Sequence, residues 1–253
     1  MFKYSTETTA LVAIIILCVV AYLLGSISFA VIFSKLFTGK DVREQGSGNA
    51  GMTNVMRTSG KLPGILTFLC DFLKGTLAVV LAMNFFSPLT NLLFYNLGIS
   101  GSSVFSYIPA PEAIVNTRLV GYLAAIFCML GHIFPVFFRF KGGKGVATIV
   151  GTAAAFNPIT ALCCFTFFIL LVLITKYVSV SSIAAVTLAI PLNYLFYSLL
   201  YNTGEYLWFG EYQLLISTIL MTIMSLMVIL KHHENIGRLI KGTENKIGSK
   251  KKG

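Results

Sequence analysis

Residues 139–158 read RFKGGKGVATIVGTAAAFNP, and the length of this stretch decides how the chain is threaded. Between a basic, glycine-rich turn and the pair Asn157-Pro158 lie only the 12 residues Gly145 to Phe156. An Asn-Pro pair disfavours helix at the asparagine and opens a turn. At about 1.5 Å of rise per residue, the segment makes about 18 Å of helix, well short of the roughly 30 Å hydrocarbon core of a bilayer.

Its neighbours are of spanning length. Working outward, apolar segments run from about Ala10 to Phe33, Gly64 to Phe86, Arg118 to Phe138, Ile159 to Thr175, Ser182 to Leu200 and Leu214 to Leu230. If the short segment also crosses, there are seven spans. The loops at 38–61 and 139–144, Lys176 and the tail then share one side. That side carries fifteen of the nineteen Lys and Arg residues, against Lys3 and Arg118 on the other. Positive charge collects in the cytoplasm, so the C-terminus is expected inside and the N-terminus outside. Without the short crossing the basic tail would face outward. The expectation is an all-α polytopic membrane protein of about seven transmembrane helices. It forms one membrane domain over 1–253, with a basic cytoplasmic tail at 231–253. Because the short helix cannot reach both surfaces, the glycine turn before it is expected to dip inward and floor a cavity open to the cytoplasm.

Composition agrees. Of the 253 residues 56% are hydrophobic and 11% charged, where a soluble domain carries roughly 25% charged residues. A net charge of +10 in a soluble protein would suggest nucleic acid. Here the basic groups sit between spans, so no nucleic-acid partner is expected; anionic lipid headgroups or an anionic substrate fit instead. Cys18, Cys70, Cys128, Cys163 and Cys164 all lie in apolar runs without CxxC spacing, which reads as small core residues and implies neither metal nor cofactor. The first apolar run lacks an A-x-A cleavage pattern and reads as an uncleaved span.

Two polar segments carry chemistry. Lys141-Gly142-Gly143-Lys144-Gly145 opens a helix: glycines admit an anion to backbone N–H groups, the helix N-terminus adds partial positive charge, and two lysines add full charges. The bland alternative is a basic turn resting on lipid headgroups; the spacing is not that of a Walker motif. Residues 47–57, SGNAGMTNVMR, interleave Ser47, Gly48, Asn49, Thr53 and Asn54 with glycine and end in Arg57. Amides and hydroxyls suit a polyol, and an arginine grips phosphate bidentately; an ordinary Asn/Gly turn is the alternative. Asp71 and Lys74, i,i+3 inside a span, read equally as a structural ion pair, and His132 as a structural hydrogen-bonder. His232 stands at the end of the last span with Asn235 one turn on, both able to face one cavity mouth. Glu244 and Glu234 are the acids nearby. No Ser/His/Asp spacing, HExxH or carboxylate pair is present, so any catalysis needs little acid–base help.

At these residues the chain resembles the bacterial integral-membrane acyl-phosphate:glycerol-3-phosphate acyltransferases. The matching stretches are GSISFAVIFSKLFTGKDVREQGSGNAGMTNVMRTSGK, LCDFLKG, GHIFPVFFRFKGGKGVAT, KYVSVSSI and KHHENIGRLIKGTENKIG. The connection at 87–117 and the stretch at 201–211 are longer than the family's usual ones, and Met52 stands where the family commonly has Ala. The resemblance implies acyl transfer from acyl phosphate to the 1-hydroxyl of sn-glycerol 3-phosphate, the first step of phospholipid synthesis. It implies a site facing the cytoplasm in the bacterial cell (inner) membrane, and a functional link to an enzyme that makes acyl phosphate. By resemblance Lys141, Gly142, Gly143, Lys144 and Gly145 hold the donor phosphate, with Lys144 the chief cation. Ser47, Gly48, Asn49, Thr53, Asn54, Arg57 and Asn235 hold glycerol phosphate. His232, as orienter or as base, completes the site with Ser179 or Ser182 and Glu244. An organic-phosphate transporter is the competing reading, opposed by the absence of an evident inverted repeat and by polar motifs on one face only.

Overall fold

The computed structural model describes residues 3–86, 112–202 and 210–247. Most of the long connection at 87–117 and of the stretch at 201–211, with the last lysines of the tail, lies outside them. Every regular element among the described residues is helical: α1 (Lys3–Gly25), α2 (Phe29–Thr38), α3 (Met52–Thr58), α4 (Lys61–Leu81), α5 (Glu112–Ile133), α6 (Val146–Phe156), α7 (Pro158–Thr175), α8 (Val178–Asn202), α9 (Gly210–Leu230) and α10 (His233–Ile240). Five stretches are long and apolar enough to cross a membrane, and α9 with α10 makes a sixth that is bent by 55°. The short α6 occupies the segment between the glycine turn and Asn157, so each of the seven predicted apolar segments carries a helix.

Lipid-soluble helices gain no hydrophobic drive from meeting one another, so close backbone approach through small residues holds them. Cβ atoms built on Gly25 and Gly131 would lie 2.0 Å and 2.1 Å from the carbonyl oxygens of Cys128 and Tyr22, which locks α1 against α5. Likewise Gly75 meets the Thr148 carbonyl and Gly151 the Phe72 carbonyl, at 2.5 Å and 2.0 Å, along the α4–α6 seam. Thr76 adds a hydroxyl bond to the Gly151 carbonyl at 2.9 Å. On the opposite faces Ile15, Ile16, Leu162, Leu173 and Ile174 stand exposed, suited to lipid.

Sequence reading expects one continuous first span to Phe33; the structure breaks it at Ser26–Ser28. The break is stabilised from outside. Lys74 donates to the carbonyl of Ile27 at 2.8 Å and pairs with Asp71 at 2.7 Å, while Asp71 lies 3.5 Å from Nδ1 of His132. A buried ion pair therefore has a concrete structural task, covering a carbonyl that the interrupted helix leaves open. The loop at 38–61 also differs, because α3 and a 3₁₀ turn at Val42–Glu44 lie inside it. Asn157 behaves as read: its side chain accepts from the Thr160 N–H at 3.0 Å and caps α7, with Pro158 in the first turn.

Candidate active site

Asn54 is the centre of the polar loop. It is almost wholly buried, and its amide donates to the carbonyls of Val42, Gln45 and Asn49 at 3.0, 2.9 and 3.1 Å while accepting from the Ser47 N–H at 3.0 Å. A Cβ at Gly46 would lie 2.2 Å from that amide oxygen, and Gly46 has φ +58°, so only glycine serves there. Asn54 thus spends its hydrogen bonds shaping the loop that presents Ser47 and Asn49. A clip joins this loop to the glycine turn. Arg43 is forked on Asp41, with contacts of 3.0 and 2.8 Å, and donates to the Phe138 carbonyl at 2.6 Å. The guanidinium holds the Asp41 carboxyl down at about 2.

A second network is built from the C-terminal half. Lys144 donates to the side-chain oxygen of Asn235. The Asn235 amide in turn donates to Glu244 at 2.7 Å, which also accepts from the Ser179 hydroxyl at 3.0 Å and from Arg238 at 2.7 Å. Burial pushes the Glu244 carboxyl up, but those three donors outweigh it and hold it below its ordinary value. The tail is tethered as well, because the Ile247 N–H donates to the Lys176 carbonyl at 2.9 Å. Burial brings the Lys144 ammonium down to about 8, with Arg238 adding to the effect. His232 is buried and desolvation brings it to about 4, so it is neutral at pH 7. Its Nδ1–H donates to the Val228 carbonyl at 2.8 Å, which makes Nε2 the ring's acceptor.

Both networks face one cavity of about 180 Å³. Of the predicted residues, Ser47, Asn49, Thr53, Asn54, Arg57, Lys144, Gly145, Ser179, Ser182, His232, Asn235 and Glu244 line it. Gly48, Lys141, Gly142 and Gly143 do not. Gly48 is an exposed turn residue and Lys141 is exposed. Gly142 and Gly143 are packing glycines, since Cβ atoms there would meet the His132 carbonyl at 2.0 Å and the His132 ring at 2.2 Å. The Gly143 N–H is taken by the His132 carbonyl at 3.1 Å. The expected glycine floor therefore reduces to Gly145, with Gly51 on the loop side.

Sequence reasoning missed Arg238, Asp71 and His132 as lining residues, and missed the Arg43–Asp41 clip. Asp71 and His132 carried only a structural signal, and Asp41-Val42-Arg43 looked like solvated loop charge. Helix α10 gives the one recoverable clue for Arg238: it lies three residues after Asn235, on the same helical face.

Below its polar mouth the cavity continues between α4, α6, α7, α8 and α9 along apolar side chains, including Phe68, Val150, Phe165, Phe168 and Val186. Among the described residues neither Arg57 nor Lys144 forms an ion pair with a carboxylate. The arrangement offers two cations to anions at the mouth, amide and hydroxyl groups between them, and a greasy slot beneath.

Residues 15–242 match the family model described as glycerol-3-phosphate acyltransferase. A glycerol-3-phosphate acyltransferase of Clostridioides difficile (strain 630) is 40% identical over 94% of this chain and 97% of its own length. One from Bartonella henselae is 38% identical over 92% of both. Among solved structures, the crystal structure of PlsY (YgiH), an integral membrane glycerol 3-phosphate acyltransferase, matches in its glycerol 3-phosphate form. The TM-score is 0.67 at 34% identity, covering 93% of this chain and 96% of that one. The lysophosphatidic acid form of the same protein matches with a TM-score of 0.66 at 33% identity.

Proposed function

The chain belongs to the glycerol-3-phosphate acyltransferase family and is an integral membrane acyltransferase, and from that premise we propose that it draws its acyl group from acyl phosphate. The 1-hydroxyl oxygen of sn-glycerol 3-phosphate attacks the acyl carbonyl, the bond from that carbon to the phosphate oxygen breaks, and the hydroxyl proton passes to the departing phosphate. The products are 1-acyl-sn-glycerol 3-phosphate (lysophosphatidic acid) and inorganic phosphate.

The observation that carries this reading is the single cavity joining a cationic mouth to an apolar slot. A mixed anhydride has a good leaving group, so positioning and charge neutralisation can replace a strong base. In this scheme Lys144 neutralises the leaving phosphate, and Arg57 with Ser47, Asn49 and Asn235 seats glycerol phosphate. Neutral His232 accepts a hydrogen bond from the attacking hydroxyl. A group protonating near 4 is too weak a base to remove that proton fully, which favours orienter over base. Glu244 holds Asn235 and Ser179 and is kept from repelling phosphate by its three donors; Ser182 lines the same wall. In this reading the mouth opens at the cytoplasmic face of the bacterial inner membrane, which the charge bias of the loops supports, and α6 is the seventh crossing. There the enzyme draws on a partner reaction that makes acyl phosphate.

The test uses purified protein in detergent with palmitoyl phosphate and glycerol 3-phosphate, following phosphate release beside Lys144→Ala and Arg57→Ala. Release that needs both substrates and collapses in both variants is expected. Release without acceptor would show a hydrolase, and none from folded protein would remove acyl phosphate as the donor.

A further inference from the structure

The slot below the mouth has a floor, and the floor is made of small side chains. Its lining reaches Ala153 on α6, Thr160 and Ala161 on α7, Ala189 on α8 and Met221 on α9. All but Thr160 are buried members of one core cluster that also contains Tyr122 and Phe156. These two rings stack with centroids 4.1 Å apart, and neither lines the cavity. They are a plug behind the floor.

The depth follows from helix geometry. Ser179 is at the mouth and Ala189 at the floor, both on α8, and ten residues of helix span about 15 Å. That is half of the roughly 30 Å hydrocarbon core, which is the depth one leaflet gives an acyl chain. An acyl chain of membrane length, bent as it is within a leaflet, therefore fills the slot as its terminal methyl reaches the floor.

We propose that Ala189 and Met221, backed by the Tyr122–Phe156 stack, set the upper acyl-chain length this enzyme accepts. The inference rests on the acyl-transfer reading of the cavity and assigns its substrate class: donors whose chain matches one leaflet. Methylenes beyond the floor have no space without displacing a packed aromatic pair. A well-packed apolar pocket discriminates by about tenfold or more per methylene. Three alanines and an unbranched methionine at the floor leave the cut-off adjustable by single substitutions.

The experiment is a ladder of decanoyl, palmitoyl and stearoyl donors, read as kcat/KM for wild type, Ala189→Phe and Met221→Ala. Ala189→Phe should raise the decanoyl-to-palmitoyl ratio by at least about tenfold, and Met221→Ala should raise the stearoyl-to-palmitoyl ratio by at least about threefold. Ratios unchanged from wild type, or losses equal at every length, overturn the ruler. If one variant fails to fold, the other still decides. The ladder is run with acyl phosphates and with acyl-CoA thioesters. A wild type that accepts only thioesters refutes the proposed donor, yet the ratios still read the floor; one inactive on both refutes both ideas.

Discussion

Glu244→Gln tests how far the site depends on the residue that holds Asn235, Ser179 and Arg238 together. The carboxylate is 7% exposed and accepts from Asn235, Ser179 and Arg238. In the glutamine variant the remaining carbonyl oxygen can keep Asn235 and Ser179, but its NH₂ then faces the Arg238 N–H, donor against donor. Hydrogen bonds to charged groups contribute about 1.5–3 kcal/mol and neutral ones about 0.5–1.5. Losing the Arg238 bond and weakening the other two is therefore expected to cost about 2–3 kcal/mol of positioning. At about 1.4 kcal/mol per factor of ten, kcat/KM should fall about 30- to 150-fold, mostly through the KM for glycerol 3-phosphate, since Asn235 is the group released. Phosphate release in detergent with each substrate varied gives that split. Glu234→Gln is the control: Glu234 is 68% exposed and 3.8 Å from the same arginine, and surface pairs are worth about 0–1 kcal/mol. A Glu244→Gln enzyme within about threefold of wild type, with unaltered thermal stability, would refute the positioning argument.

Three further outcomes follow from the same geometry. Because burial brings Lys144 to about 8, its charge is complete below that pH and is lost above it; kcat/KM, which reports the free enzyme, should fall about tenfold by pH 9, and Lys144→Arg should flatten that limb. Lys74→Met leaves Asp71 buried without its cation, so the unfolding midpoint in detergent should drop by the equivalent of about 3–5 kcal/mol, with much of it restored by adding Asp71→Leu; a single variant as stable as wild type would contradict the structural role. Gly143→Ala should abolish activity, because its Cβ would lie 2.2 Å from the His132 ring, whereas Gly237→Ala meets nothing within 4 Å and should add about 0.5–1 kcal/mol to α10.

Apolar length and lysine placement made the spans readable, since lipid imposes both directly. Lys144, Arg57, His232 and Asn235 line one cavity, and they could be singled out because they stand in the stretches that carry the family resemblance. What escaped depended on contacts between distant segments. Nothing local in the first span marks its break, which rests on Lys74 reaching Ile27 from another helix. Helix α3 is written in Asn, Thr and Met beside glycines, a composition that signals turn; its buried Asn54 holds the preceding loop from within. Gly142 and Gly143 looked like an anion cradle because glycine permits both backbone exposure and tight packing; only the position of His132 shows which applies.

The mouth joins residues near both ends of the chain: Ser47 to Arg57 from the first polar loop, and His232 to Glu244 from the last turns. During synthesis the first half of the site therefore exists long before the second. At about 5–20 residues per second, the nascent chain carries an incomplete site for on the order of ten seconds or more. Over that interval Lys144 has no Asn235 to meet, and Asn235 has no Glu244. On the proposed assignment of these residues, catalytic competence is postponed until the last helices have been inserted and the polypeptide has turned back over them, and a truncated product is expected to sit in the bilayer without transferring acyl groups.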